Sequence, residues 1–72
     1  MEFKAVILTE IGDYLVKGAD NYQWTEKGLE IEKAHVVNEE GLAQRIKADE
    51  LLVTNNAIQG IQKGSFEEET VE

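Results

Sequence analysis

Period-two alternation, interrupted at short intervals by Gly, Asn or Asp, runs through most of this chain and confines it to a small antiparallel β fold. It is clearest at Leu29-Glu30-Ile31-Glu32, where apolar and acidic side chains take opposite faces of a strand. With 72 residues the chain is one domain at most. A chain so short buries only roughly 60% of the surface its unfolded form exposes, so its core is marginal. Small domains commonly add disulfides or a structural metal. With no Cys and a single His, His35, neither remedy is at hand, which leaves oligomerisation.

Residues 3–9 read as the first strand. Its centre, Ala5-Val6-Ile7-Leu8, is apolar on both faces, and something must cover each of them. In a closed barrel the chain itself does so; in a homo-oligomer, most simply a two-fold dimer, a second copy does, and the sequence reading takes the oligomer. A turn at Ile11-Gly12-Asp13 leads to a strand over 13–17, and 18–21 form a loop with Asx chemistry at Asp20 and Asn21. A third strand covers 22–25, with Tyr22 and Trp24 on one face, and Glu26-Lys27-Gly28 closes a tight hairpin into the fourth. Inward parity then changes: Leu29 and Ile31 are followed by Ala34 and Val36. This predicts a bulge or bend near Lys33-Ala34 that passes the chain from one sheet to another. Residues 38–41 are a hairpin loop, 42–47 a fifth strand, Ala48-Asp49-Glu50 a 3₁₀ turn and 51–54 a final strand. Residues 57–61 read equally as strand or turn, and no internal repeat or linker is expected. The expected core is Val6, Leu8, Val16, Trp24, Leu29, Ile31, Val36, Ile46 and Leu51.

The fold expected is therefore all-β, a five- or six-stranded small barrel or strongly bent sheet over residues 1–64. An acidic flexible tail follows over 65–72, since Glu67, Glu68, Glu69 and Glu72 repel one another with few apolar anchors. The stretch Gly12-Asp13-Tyr14-Leu15-Val16, Ala19-Asp20, Trp24, Gly28-Leu29-Glu30-Ile31, Gly41 and Ile46-Lys47-Ala48-Asp49-Glu50-Leu51 resembles small uncharacterised SH3-like β-barrel proteins of bacteriophages, prophages and bacteria. The resemblance implies the barrel fold and a source of that kind, and fold does not imply function.

Net charge is −8, and the four tail glutamates carry half of it, leaving −4 for the other 64 residues. Direct binding to a nucleic-acid backbone needs a basic stripe and is not expected. A DNA-mimic inhibitor needs a dense carboxylate track, which the body of the chain lacks. The longest apolar run near the N-terminus, Ala5-Val6-Ile7-Leu8, falls short of the ~7–15 residues of a signal h-region and the ~20 of a membrane span, so a cytoplasmic chain without membrane contact is expected.

Candidate chemistry is sparse. His35 is the one general base of ordinary type, and it lies in an apolar stretch without an identifiable nucleophile or orienting partner. No metal site or cofactor is expected. Tyr22 and Trp24 suit stacking or an interface anchor, with Trp24 read as a core anchor and Tyr22 as partly exposed. Arg45 and Lys47 share a strand face and, with His35 across the preceding hairpin, suit an anionic group; the plainer reading pairs them with Glu30 or Glu32. Asn55 and Asn56 form a polar corner. These residues fit a non-enzymatic interaction protein, a phage or mobile-element accessory factor acting on a host macromolecule. The alternative is a homo-oligomer capturing an anionic nucleotide-type ligand between subunits, lined by Tyr22, Arg45, Lys47, Asn55 and Asn56.

Overall fold

A computed structural model describes residues 1–71. Eight strands, β1 (Glu2–Thr9), β2 (Gly12–Val16), β3 (Tyr22–Trp24), β4 (Gly28–Glu32), β5 (His35–Val37), β6 (Ala43–Arg45), β7 (Glu50–Thr54) and β8 (Ile58–Glu67), form two antiparallel sheets. The larger has the order β6-β5-β2-β1-β8 and the smaller β3-β4-β7. No closed barrel forms among the described residues. The count exceeds the five or six strands expected because the long fourth strand divides in two and residues 58–67, read as ambiguous and tail, form one ten-residue strand.

The division falls at the parity break. β4 ends at Glu32 in the small sheet and β5 begins at His35 in the large one. Lys33 between them has φ +52°, a left-handed conformation that turns the chain sharply at an energetic cost for a residue with a Cβ. Its N–H donates to the Asp49 carbonyl at 3.0 Å. Gly28 has a different reason to be glycine: at φ +149° a Cβ there would lie 2.2 Å from the Val53 carbonyl oxygen, so any side chain would push β4 off β7. The 3₁₀ turn expected at Ala48-Asp49-Glu50 is absent, because Glu50 already pairs with Glu32 in β7; 3₁₀ turns occur at Ala19–Asn21 and Asn55–Ala57 instead.

Two cores result. The first lies between the sheets and contains Ala5, Ile7, Val16, Leu29, Ile31, Ala34 and Val53, with Tyr22, Ile46 and Leu51 packed at its margin. The second lies on the other face of the large sheet. Val6 pairs with Leu15, Leu15 with His35 and His35 with Arg45, so these four share that face. Phe3, Val6, Leu15 and Ala43 are buried there, with Leu8 and Phe66 against them. Phe3 breaks the simple alternation of β1, and the β1–β8 register shifts between Phe3 and Ala5.

The expected flexible tail is docked in this structure. Residues 65–67 continue β8, the Glu68 N–H donates to the Met1 carbonyl at 3.0 Å, and Thr70 forms a parallel bridge to Ala43. The Ala43 N–H donates to the Glu69 carbonyl at 2.7 Å and the Val71 N–H to the Ala43 carbonyl at 3.0 Å. The segment thus ties the β8 side of the sheet to β6, its opposite edge. Counting charges hides their parity: Phe66, Glu68 and Thr70 are half-buried while Glu67 and Glu69 are exposed. Glu72 lies outside the described residues. Both faces of β1 are therefore covered within one copy, which removes the premise from which a second copy was inferred.

Candidate functional site

Antiparallel pairing brings four connections to one end of the molecule. The β1–β2 turn, the β3–β4 turn, the β5–β6 loop and the Asn55–Ala57 turn meet there, and the Glu10 N–H donates to the Ala57 carbonyl at 2.9 Å. The first two turns share a four-residue motif that sequence reading missed while finding no repeat: Thr9-Glu10-Ile11-Gly12 and Thr25-Glu26-Lys27-Gly28. In each, the Thr hydroxyl donates to the Gly carbonyl, at 2.6 Å and 2.9 Å, and accepts from the N–H two residues on, at 3.3 Å in both. Both glycines adopt positive φ. In the β5–β6 loop the Asn38 Oδ1 accepts from the N–H groups of Glu40 and Leu42 at 2.9 Å and 3.0 Å. The tips are held by their own side chains.

This end also gathers exposed apolar side chains. Ile11 is 79% exposed, Trp24 57% and Val37 50%. Ile11, Gly12, Asp13, Val36 and Val37 line an open recess of about 420 Å³. Asp13 lies in its lining, and Glu10, Glu26, Glu39 and Glu40 are exposed on the tips at this end, with Lys27 as the cation among the tip residues. Among the described residues none of these five carboxylates has an ion-pair partner within 4 Å.

The residues singled out from sequence are dispersed. Tyr22 is half-buried on β3 and packs against the first core. Trp24 is no core anchor: it shares a row with Leu29 and Val53, but it ends β3, an edge strand of three residues, and its side chain is exposed. Leu8, Val36, Ile46 and Leu51, all expected inside, are half-buried, whereas Phe3 and Ile7 are fully enclosed. Arg45 is exposed and pairs with Asp49 at 3.2 Å, not with Glu30 or Glu32. Lys47 lies beyond β6, which ends at Arg45, so the two basic residues do not share a strand. Asn55 and Asn56 are exposed on the 3₁₀ turn, at the same end as Trp24, because Gly28 pairs with Thr54. The structure thus pairs His35 with Arg45 across β5 and β6 and sets Trp24 and the Asn55-Asn56 turn at the same end without joining them, while Tyr22 and Trp24 lie on the small sheet and Arg45 on the large one.

His35 is 6% exposed and meets Phe3 edge to face, ring centroids 5.0 Å apart. Its Nδ1 is buried without a hydrogen-bond partner. Burial holds the imidazole below the ordinary histidine range, Lys17 and Arg45 push the same way, and the Lys33 carbonyl opposes them. A second recess, lined by Asp20, Asn21, Tyr22, Gln23, Glu30 and Glu32, measures about 20 Å³, room for about one water. No group of His, Asp and Glu among the described residues is placed to hold a metal ion, and no helix among them is long and apolar enough to cross a membrane. The chain matches no protein-family model, no curated protein and no solved structure.

Proposed function

We propose that this chain is a non-enzymatic interaction protein that binds a macromolecule through its hairpin-tip end. The resemblance to phage and prophage proteins sets the partner in a bacterial host, with inhibition or modification of that partner as the outcome. The observation that carries this reading is Ile11, the most exposed of the large apolar side chains, fixed on a turn by hydrogen bonds rather than left on a loose loop. A rigid apolar tip loses little entropy when a partner covers it, and exposed apolar anchors beside polar rims are the usual energetic centres of interfaces. The anionic-ligand reading draws no such support: the recess at the tips is lined by Asp13 and by neither Arg45 nor Lys47.

The test is site-specific photo-cross-linking in a bacterial host, with a photoreactive residue at position 11, 37 or, as a control on β8, the edge strand remote from β5, 62. One discrete adduct from positions 11 and 37 but not 62 is expected. Adducts from position 62 alone, or from none of the three, would refute the proposal.

A further inference from the structure

We propose that the recess between the β1–β2 tip and the end of β5 is a docking site for a cationic protein segment, which inserts one apolar side chain and places flanking Lys or Arg residues against the surrounding carboxylates. This rests on the interaction-protein reading above and names the chemistry of the partner. The geometry comes first. Leu15 pairs with His35, and continuing that antiparallel register sets Asp13 opposite Val37 and Gly12 opposite Asn38. The β1–β2 and β5–β6 tips are therefore neighbours, and Ile11, Val36 and Val37 supply the apolar part of the lining. A volume of about 420 Å³ accommodates one large side chain with room for its backbone.

Charge selects among occupants. Asp13 lies in the lining, and Glu10, Glu39 and Glu40 stand on the two tips, all without an ion-pair partner among the described residues. A nucleic acid would bring phosphates against these carboxylates, the reverse of what backbone binding needs. A second copy would set the same acidic residues against themselves, and like charges across an interface oppose association. A segment bearing Lys or Arg around an aliphatic or aromatic side chain satisfies both the recess and its rim. Fixed tips, held by Thr9 and Asn38, leave little reorganisation to oppose binding.

The experiment titrates the ¹⁵N-labelled full chain with a synthetic peptide, Lys-Lys-Leu-Lys-Lys with blocked ends, and with its Ala-centred and Glu-flanked counterparts. Amide shifts are expected at Ile11, Asp13, Val37 and Glu39, with weaker binding of the Ala peptide and none of the Glu peptide. Ile11→Ser and Asp13→Lys each weaken binding by roughly tenfold, as loss of an anchor or charge at an interface does. Both positions are exposed, so the melting temperature should not move; Ile11→Thr serves as a second variant should Ile11→Ser perturb the turn. Shifts spread evenly over Glu30, Glu32 and Glu67, or variants that bind like the parent, would overturn the proposal. Concentration-dependent shifts at the same amides without peptide would assign the face to a second copy and overturn it equally. Cross-links from positions 11 and 37 combined with no peptide binding would preserve the interaction reading and reject the cationic segment; absence of both rejects both.

Discussion

The two cores of this domain are built from different parts of the chain. The core between the sheets draws on segments spread from Ala5 to Val53, each a strand whose alternation marks an inward face. The second is closed by the chain's extremities: Phe3 near one end and Phe66 near the other, with residues 68–71 strapped across to β6. Joining distant residues costs little more entropy than joining near ones, since the closure term grows only with the logarithm of loop length. A chain without cysteine can thus cover both faces of its central strand by folding the segments around Phe3 and Phe66 over the second face. Small size does not by itself demand a partner subunit here.

Substituting one large residue in each core tests whether the second deserves the name. Phe3 and Ile31 are both fully enclosed. Phe3→Ala should destabilise by about 3–5 kcal/mol and Ile31→Ala by about 2–4 kcal/mol, from lost transfer free energy plus residual cavities. Against a total of about 5–15 kcal/mol for a domain, each is a large share. Urea unfolding measures both, and Phe3→Leu supplies a graded variant where Phe3→Ala fails to fold. A Phe3→Ala cost under about 1 kcal/mol would reduce the second core to a surface pad.

The strap itself is the next largest effect. Removing residues 68–72 breaks three amide hydrogen bonds, to Met1 and to both sides of Ala43, and the bond that the Met1 ammonium donates to the Glu68 carbonyl. Each contributes about 0.5–1.5 kcal/mol net, and the entropy returned by freeing the segment offsets most of the sum. The expected loss is about 1 kcal/mol, or a fall of ~4–8 °C in melting temperature. Val71→Pro in the full chain removes only the donor to Ala43, keeps the charges and should give a smaller fall. Unchanged melting in both would show that the segment is not docked in solution and that the second core closes without it.

These tests bear on what the sequence makes legible. Leu29-Glu30-Ile31-Glu32, the hairpin glycine at 28 and the parity break at Lys33 were readable because each is a local signal: alternation, a turn residue, a phase change. Phe3 and Phe66 were not, because their burial depends on pairing between opposite ends of the chain, which no local pattern encodes. Trp24 misled for a related reason. Its position in the row with Leu29 is correct, but exposure follows from β3 being a short edge, a property of sheet order. The tip motif Thr-Glu-X-Gly stands in the sequence twice but is too short to register as a repeat, and only the shared Thr–Gly hydrogen bonds and the topology that sets both tips at one end make it visible.

The smallest expected effect is a slope with pH, and it distinguishes the two cores without a large perturbation. The described part of the first core contains no titratable side chain that is fully buried, whereas the second holds His35. Its charged form is disfavoured by burial first and then by Lys17 and Arg45 on the flanking strand end and neighbouring strand, with Phe3 offering no counter-charge. The folded imidazole therefore titrates below the ordinary value of 6.5 that the unfolded chain retains. Between those two values the unfolded state binds more protons, so stability rises with pH. The contribution is complete above about pH 6.5, declines as pH falls below it, and is lost once pH passes below the folded value. Urea midpoints taken from pH 8 downward should decline through this window before most carboxylates titrate. His35→Phe removes the proton site and the orphaned Nδ1 while keeping an aromatic ring against Phe3, and should flatten that slope without loss of stability at neutral pH. A variant that keeps the parent's slope would show that His35 is already solvated in the folded chain, and that the second core is open where this structure closes it.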